Sequence, residues 1–213
     1  MLFKQEINLA TSVIISTYNQ PKWLRKVLKG YENQTVKDFE LIIADDGSGQ
    51  QTKALIDEFK HNSELNIIHI YQEDKGFRKC RILNKAINAA SGDYIILSDG
   101  DCIPRSDFIY VHLSEKRPKH YLSGGYCKLP LQTSAHITED VIANNKCFEL
   151  TWLNKHGFSF NKIYLKLIKV FIINSKIEEI YRLICNLVKN SEKKERKKRV
   201  PNNLNENSFT VYS

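Results

Sequence analysis

Four short β-branched runs, each cut off by polar residues and separated by amphipathic stretches of helical period, constrain this chain more than anything else in it. Ser12-Val13-Ile14-Ile15-Ser16, Glu40-Leu41-Ile42-Ile43-Ala44, Asn66-Ile67-Ile68-His69-Ile70-Tyr71 and Tyr94-Ile95-Ile96-Leu97-Ser98 are short and rich in isoleucine, and they read as buried strands. Pro21 opens a helix through about Asn33, at a position where its missing N–H costs nothing. A second helix follows the Asp45–Gly49 break to about Lys60, and a third runs from about Phe77 to Ala90. The third carries Ile82, Leu83, Ala86, Ile87 and Ala90 on one face and stops at Ser91-Gly92-Asp93. Strands alternating with such helices form right-handed βαβ units. The fold class is therefore α/β, with a mostly parallel sheet and helices on both faces.

In sheets of this kind ligands bind beyond the carboxyl ends of the strands. That rule selects Ser16 to Asn19, Asp45 to Ser48 and Asp99 to Asp101, all polar and two of them rich in carboxylates. Asp99-Gly100-Asp101 puts two carboxylates on a tight turn, and Gly100 gives the backbone freedom to aim both at one ligand. Such a pair suits Mg²⁺ or Mn²⁺, hard ions that need few protein ligands beside phosphate oxygens and water. An isolated Asp-x-Asp is more often an ordinary surface turn. At the end of a buried parallel strand, flanked by two more polar strand ends, the cation site is the stronger reading.

The Asp45-Asp46-Gly47-Ser48 segment has two readings. Ser48 caps the next helix and Asp46 shapes a turn, or a carboxylate here accepts a hydrogen bond from a base N–H. Tyr18 either joins the core or stacks its ring on a base. Gly76-Phe77-Arg78-Lys79 opens the third helix, where backbone N–H groups and the dipole favour anions. Arg78 suits a diphosphate because its planar fork donates two parallel hydrogen bonds. Lys79 is assigned to a solvated basic face.

Together these segments resemble the family 2 glycosyltransferases of GT-A fold. The resemblance rests on Val13 to Asn19, on Phe39 to Ser48, on Asn84-Lys85-Ala86-Ile87 with Ser91-Gly92-Asp93-Tyr94, and on Ser98-Asp99-Gly100-Asp101. Gly76 to Pro104, with Gly124-Gly125-Tyr126 beyond, is similar to the bacterial lipopolysaccharide and capsule branch. The resemblance implies a UDP-type sugar donor, with Ser16, Tyr18 and Asp46 at the base and Arg78 at the base or diphosphate. It puts Asp99 near the ribose and metal, and Asp101 on the metal that bridges the diphosphate. The implied reaction is inverting transfer to an acceptor hydroxyl of a saccharide or lipid-linked acceptor, with a carboxylate as base.

The family continues with an Asn-Gly-Phe-Asp-Glu-like segment and an acidic element that supplies the base. Nothing like the first follows residue 130, and Glu139-Asp140 reads as the acidic first turn of a helix. The expectation is a donor-binding domain over 1–130, a helical extension over 131–190 and a basic, disordered tail over 191–213. The alternative to an active transferase is a shortened, non-catalytic donor-binding remnant or accessory subunit. Ser106 is expected to cap a helix to about Leu113, and Tyr121 to Tyr126 to form a strand.

Charge is uneven along the chain. Residues 1–150 hold 19 basic and 19 acidic side chains, while 151–213 hold 13 basic against 5 acidic, which is the whole net +8. In the latter region Ile163, Leu167, Val170, Asn174, Ile177, Tyr181, Ile184 and Val188 form a helical seam flanked by lysines. It packs on its own domain, docks residues 161–199 on anionic lipid, or self-associates with Asn174 fixing register. Nucleic acid is excluded as a partner, because the basic stretch lacks interleaved base-reading aromatics. Five widely spaced cysteines without a Cys-x-x-Cys pair indicate reduced thiols. With neither a secretory signal nor an apolar run of about 20 residues, a cytoplasmic protein is expected, peripheral on the inner face of the membrane if the seam docks on lipid.

Overall fold

The computed structural model describes residues 11–118, 120–158 and 209–212, the last as backbone only. The apolar–cationic seam at 163–188 and the charge run beyond it lie outside the described residues.

The four apolar runs form strands β1 (Thr11–Thr17), β2 (Glu40–Asp45), β3 (Asn66–Tyr71) and β4 (Tyr94–Asp99), joined by helices α1 (Pro21–Glu32), α2 (Gln50–Asn62) and α3 (Lys79–Ala89). All pairings are parallel and the spatial order is β3-β2-β1-β4. This order fixes the layers. From β1 to β2 to β3 the chain steps one way, and then it crosses back to place β4 on the far side of β1. Right-handed crossovers therefore put α1 and α2 on one face and α3 on the other. The α3 face is a cluster of Ile14, Ile42, Ala44, Ile82 and Ala86, with Leu83 and Ala90 packed at its margin. The alternate residues Val13, Ile15, Leu41 and Ile43 point to the other face and are as deeply buried.

β4 departs from the expectation of a fully buried strand. Ile96 and Ser98 are buried, whereas Ile95 and Leu97 are 37% and 54% exposed. Leu97 is the register partner of Ile14 on the α3 face, and α3 packs over β1 and β2 there, which leaves β4 covered on one face only.

Beyond it come β5 (Cys102–Pro104), α4 (Phe108–Glu115), β6 (Tyr126–Leu129), α5 (Leu131–Ala135), α6 (Glu139–Ala143), a 3-10 turn over Lys146–Phe148, α7 (Leu150–Lys155) and β7 (Phe209–Tyr212). A buried glutamine ties this region to α1. Gln34 donates to the carbonyls of Gly30 and Arg105 at 3.0 and 2.7 Å and accepts from the Ile109 N–H at 3.1 Å. Asp107, not Ser106, holds the N-cap position of α4. The strand expected over Tyr121 to Tyr126 begins only at Tyr126, and Tyr121 is 90% exposed. Its pairing explains the shift. β6 pairs antiparallel with β7, which lies between β5 and β6 and comes from the far end of the sequence. β7 itself falls in the stretch whose composition suggested disorder. All four of its residues are β-branched or aromatic, and it has a partner strand on each side.

Candidate functional site: the switch point between β1 and β4

The strand order reverses between β1 and β4, and open α/β sheets bind ligands at such a switch point. Ser16 and Asp99 are register partners there. The Ser16 hydroxyl donates to Asp99 Oδ1 at 2.6 Å, and the Gly100 N–H donates to the Ser16 carbonyl at 2.8 Å. A third group joins them: Lys79, the first residue of α3, places Nζ 2.5 Å from the same Asp99 oxygen. Lys79 therefore belongs to the site and not to a solvated face. Arg78 takes the N-cap with a non-helical backbone (φ −131°, ψ 36°), so its side chain leaves α3 in a different direction.

One oxygen each from Asp99 and Asp101 and the Cys102 thiol lie within 4.8 Å of one another. Gly100 is needed here for space, since a Cβ would stand 3.0 Å from the Ser16 carbonyl oxygen and 3.2 Å from the Thr17 side chain. It has no positive φ, so close approach to β1 replaces the conformational freedom expected of it. The two carboxylates differ electrostatically. Burial works against the Asp99 carboxylate, yet the hydrogen bonds from Lys79 and Ser16 and the lysine charge hold its pKa below the ordinary value. Burial pushes the Asp101 pKa up, and the Asp99 charge adds to it against a 3.4 Å hydrogen bond from the Cys102 thiol. A raised acid beside a second carboxylate is a conflict that a divalent cation relieves. The group could hold a metal. The carboxylate pair is its hard, oxygen-donor part, and the buried thiol already directs its hydrogen to Asp101.

The end of β2 is built differently. Asp45 accepts from the Ser48 N–H at 2.8 Å and pairs with His69 Nε2 at 3.0 Å. Burial opposes that charge, and the His69 and Ser48 contacts overcome it, leaving the pKa below normal. Asp46 accepts from Gln72 Nε2 at 2.5 Å with one oxygen and from the Arg78 backbone N–H at 2.8 Å with the other. Ser48 is not the cap of α2, a position held by Gly49. Its hydroxyl accepts the Asn19 N–H at 2.9 Å, and Asn19 Oδ1 accepts the Gly49 N–H at 2.8 Å. Gly47 has φ +100°, and a Cβ there would come within 2.6 Å of the Asp74 backbone.

Tyr18 is 48% exposed, outside the core, and donates its hydroxyl to Asp74 at 2.9 Å. The Asp74 hydrogen bond and charge raise its pKa. The Arg78 guanidinium donates to the Glu73 carbonyl, so Arg78 meets Asp46 through its backbone and the β3–α3 loop through its side chain. The structure thus gathers Ser16, Asp99 and Asp101, and links Tyr18, Asp46 and Arg78 through the segment Gln72 to Gly76. Lys79, Gln72 and Asp74 were not among the residues expected at the site. The basic pair Arg78-Lys79 was a signal for one of them, but only the helix phase tells which of the two faces the sheet.

Glu139 and Asp140 occupy the first turn of α6, and the Thr138 hydroxyl accepts the Val141 N–H. The Glu139 carboxylate lies 3.9 Å from Arg25 and 3.8 Å from Lys29 on α1. Both acids are thus part of a helix start, and Glu139 joins an ion-pair network.

A model of glycosyl transferase family 2 matches residues 12–121, more than half of the chain and the whole of this site. The chain belongs to glycosyl transferase family 2. Among family relatives, the chondroitin synthase of Escherichia coli is 38% identical over 102 residues, covering 47% of this chain and 15% of that protein. The dolichyl N-acetyl-α-D-glucosaminyl phosphate 3-β-D-2,3-diacetamido-2,3-dideoxy-β-D-glucuronosyltransferase of Methanococcus voltae is 27% identical over 165 residues, covering 71% of this chain and 50% of that protein. The mannosyltransferase PcManGT of Pyrobaculum calidifontis, solved with GDP-Man and Mn²⁺, superposes with a TM-score of 0.46 at 21% identity, covering 59% of this chain and 36% of that one. The matches thus span half or less of these relatives' lengths.

Proposed function

We propose that this family 2 chain binds a nucleotide-sugar donor, of UDP type, across the β1–β4 switch point and transfers its sugar with inversion to an acceptor hydroxyl. The observation that carries the reading is the convergence of Ser16, Lys79, Asp99 and Asp101 where the strand order reverses. Asp99 and Asp101 would hold Mn²⁺ or Mg²⁺, which supplies charge stabilisation to a departing diphosphate. Ser16 orients Asp99 by its hydrogen bond. Tyr18 presents an exposed ring for stacking the base, steadied by Asp74. Asp46 would accept a base N–H on a lone pair beyond those facing Gln72 and Arg78, since an ionised carboxylate has about four such sites. Arg78, at the mouth of the same loop, would reach the base or the diphosphate.

The acceptor is proposed to be a saccharide or lipid-linked saccharide in the building of a bacterial surface polysaccharide or lipopolysaccharide. Support comes from the similarity to a chondroitin synthase and to a transferase of a dolichyl-phosphate-linked sugar. No helix among the described residues is long and apolar enough to cross a membrane. A cytoplasmic location, with peripheral contact through the cationic 161–199 segment, is part of the same proposal. Pelleting with anionic vesicles that is lost in high salt would support the contact, and pelleting indifferent to salt would contradict it.

A second reading is favoured by the engagement of Glu139 with Arg25 and Lys29. Glu139, one of the acidic pair that could have served as base, already faces two cations of α1, which suits a donor-binding remnant or accessory subunit. UDP release with and without oligosaccharide acceptors, measured beside a UDP titration on one preparation, separates the two. The transferase reading expects acceptor-dependent release. Metal-dependent binding with no acceptor-dependent release would favour the subunit.

A further inference from the structure

We propose that Lys79 stands in the cation's place at Asp99: a divalent ion displaces its ammonium, and the freed ammonium then pairs with the donor's diphosphate. The inference rests on the reading of Asp99 and Asp101 as the metal site.

Three observations carry it. Lys79 Nζ lies 2.5 Å from Asp99 Oδ1, at the carboxylate group whose ligand atoms fall within 4.8 Å of one another. An ammonium there neutralises one of the two acids, so a divalent ion entering the same group meets a fixed like charge unless the lysine leaves. The pair is also easy to part. The Lys79 and Asp99 side chains are 37% and 46% exposed, and ion pairs this open contribute little net stability. Ser16 keeps its own hydrogen bond to Asp99, so the carboxylate stays in position when the lysine departs.

The third observation is where the ammonium would go. Lys79 opens the 11-residue helix α3, whose N-terminal N–H groups and dipole already favour anions. Arg78 is less free for that task, since its guanidinium donates to the Glu73 carbonyl. A lysine is a compact charge on a flexible stem, and it can exchange one anionic partner for another without moving the backbone.

The exchange makes effects of opposite sign at one residue, which a merely structural role would not. In the 213-residue chain, Lys79→Met keeps the stem and removes the charge. Mn²⁺ affinity without nucleotide, read from free Mn²⁺ by electron paramagnetic resonance, should tighten about three- to tenfold. UDP affinity at saturating Mn²⁺, read by calorimetry, should weaken about three- to tenfold. Lys79→Arg, which keeps the charge, should hold Mn²⁺ affinity near that of the parent. Unchanged or weaker Mn²⁺ binding in Lys79→Met, with parent binding that is lost in Asp101→Asn, overturns the exchange and leaves the metal site standing. Tighter Mn²⁺ with no loss of UDP affinity overturns the second half of the exchange. No Mn²⁺ binding in either the parent or Lys79→Met removes the metal-site reading and the exchange with it.

Discussion

Two carboxylate turns flank the end of β1 at the top of the sheet, and they do different things. At the end of β2, Asp45 and Asp46 are met by Ser48, His69, Gln72 and the Arg78 backbone, and each carboxylate receives two contacts from its own chain. At the end of β4, Asp101 is held in partial burial with a thiol as hydrogen-bond donor and a second carboxylate nearby. The first turn is a frame: its acids fasten the end of β2 to β3 and to the β3–α3 loop. In the second, Lys79 and Ser16 meet Asp99, but burial and the Asp99 charge leave the Asp101 carboxylate with a raised pKa, the condition in which an acid gains most from a cation. Two Asp-rich turns of similar sequence thus differ in what faces them, and the difference separates scaffold from chemistry.

Truncation should expose that contrast most strongly. Asp46→Ala strips an acceptor from a buried Gln72 amide and from the Arg78 N–H, and should cost about 2–4 kcal/mol in urea unfolding. Asp101→Ala should cost less than about 0.5 kcal/mol, as for a side chain outside the fold's hydrogen-bond framework. Equal losses would erase the distinction. The glycines give a smaller version of the same test. Gly47→Ala forces a Cβ into the Asp74 backbone at φ +100° and should cost about 2–3 kcal/mol. Gly100→Ala meets a carbonyl oxygen at 3.0 Å with an ordinary φ, and about 1 kcal/mol is expected. A Gly100→Ala loss larger than that of Gly47→Ala would place the tighter constraint at β4.

The pH dependence separates the turns by sign. Asp45 has a lowered folded pKa, so its stabilisation is present above the unfolded value of about 3.9 and is lost as pH falls through the folded value. Asp101 has a raised folded pKa, so its favourable contribution is present below the unfolded value and is lost as pH rises through the folded one. Asp45→Asn should therefore lower stability at pH 7 and flatten the acid limb of the stability curve. Asp101→Asn should raise stability slightly at pH 7 and change little near pH 3. Matching profiles for the two variants would contradict the assignment.

The sheet was legible because each strand is a short β-branched run and each crossover helix has a clear apolar face, so boundaries fall within about two residues of expectation. Harder to read were contacts between distant segments. Lys79 looks like half of a basic pair, and its turn toward Asp99 depends on Arg78 being the N-cap. Glu40 begins a strand as any polar residue might. Yet its carboxylate accepts from the Ser12 hydroxyl at 2.5 Å, the Ser91 N–H at 2.6 Å and the Ser91 hydroxyl at 2.9 Å, which fastens three segments at the opposite end of the sheet. Burial opposes that charge and the serine hydrogen bonds prevail, lowering its pKa. β6 was misplaced because its partner, β7, lies some 80 residues away in sequence, beyond the reach of local pattern.

Under the proposed function the β4 turn, and not the β2 turn, carries the cation under a donor diphosphate. The direct measurement is a calorimetric titration of UDP into the parent chain and into Asp101→Ala, each with and without Mn²⁺. UDP binding in the parent should strengthen with Mn²⁺, and that dependence should vanish in Asp101→Ala while the unfolding midpoint stays put. Equal UDP affinity with and without metal in the parent, or a metal dependence that survives Asp101→Ala, would contradict it.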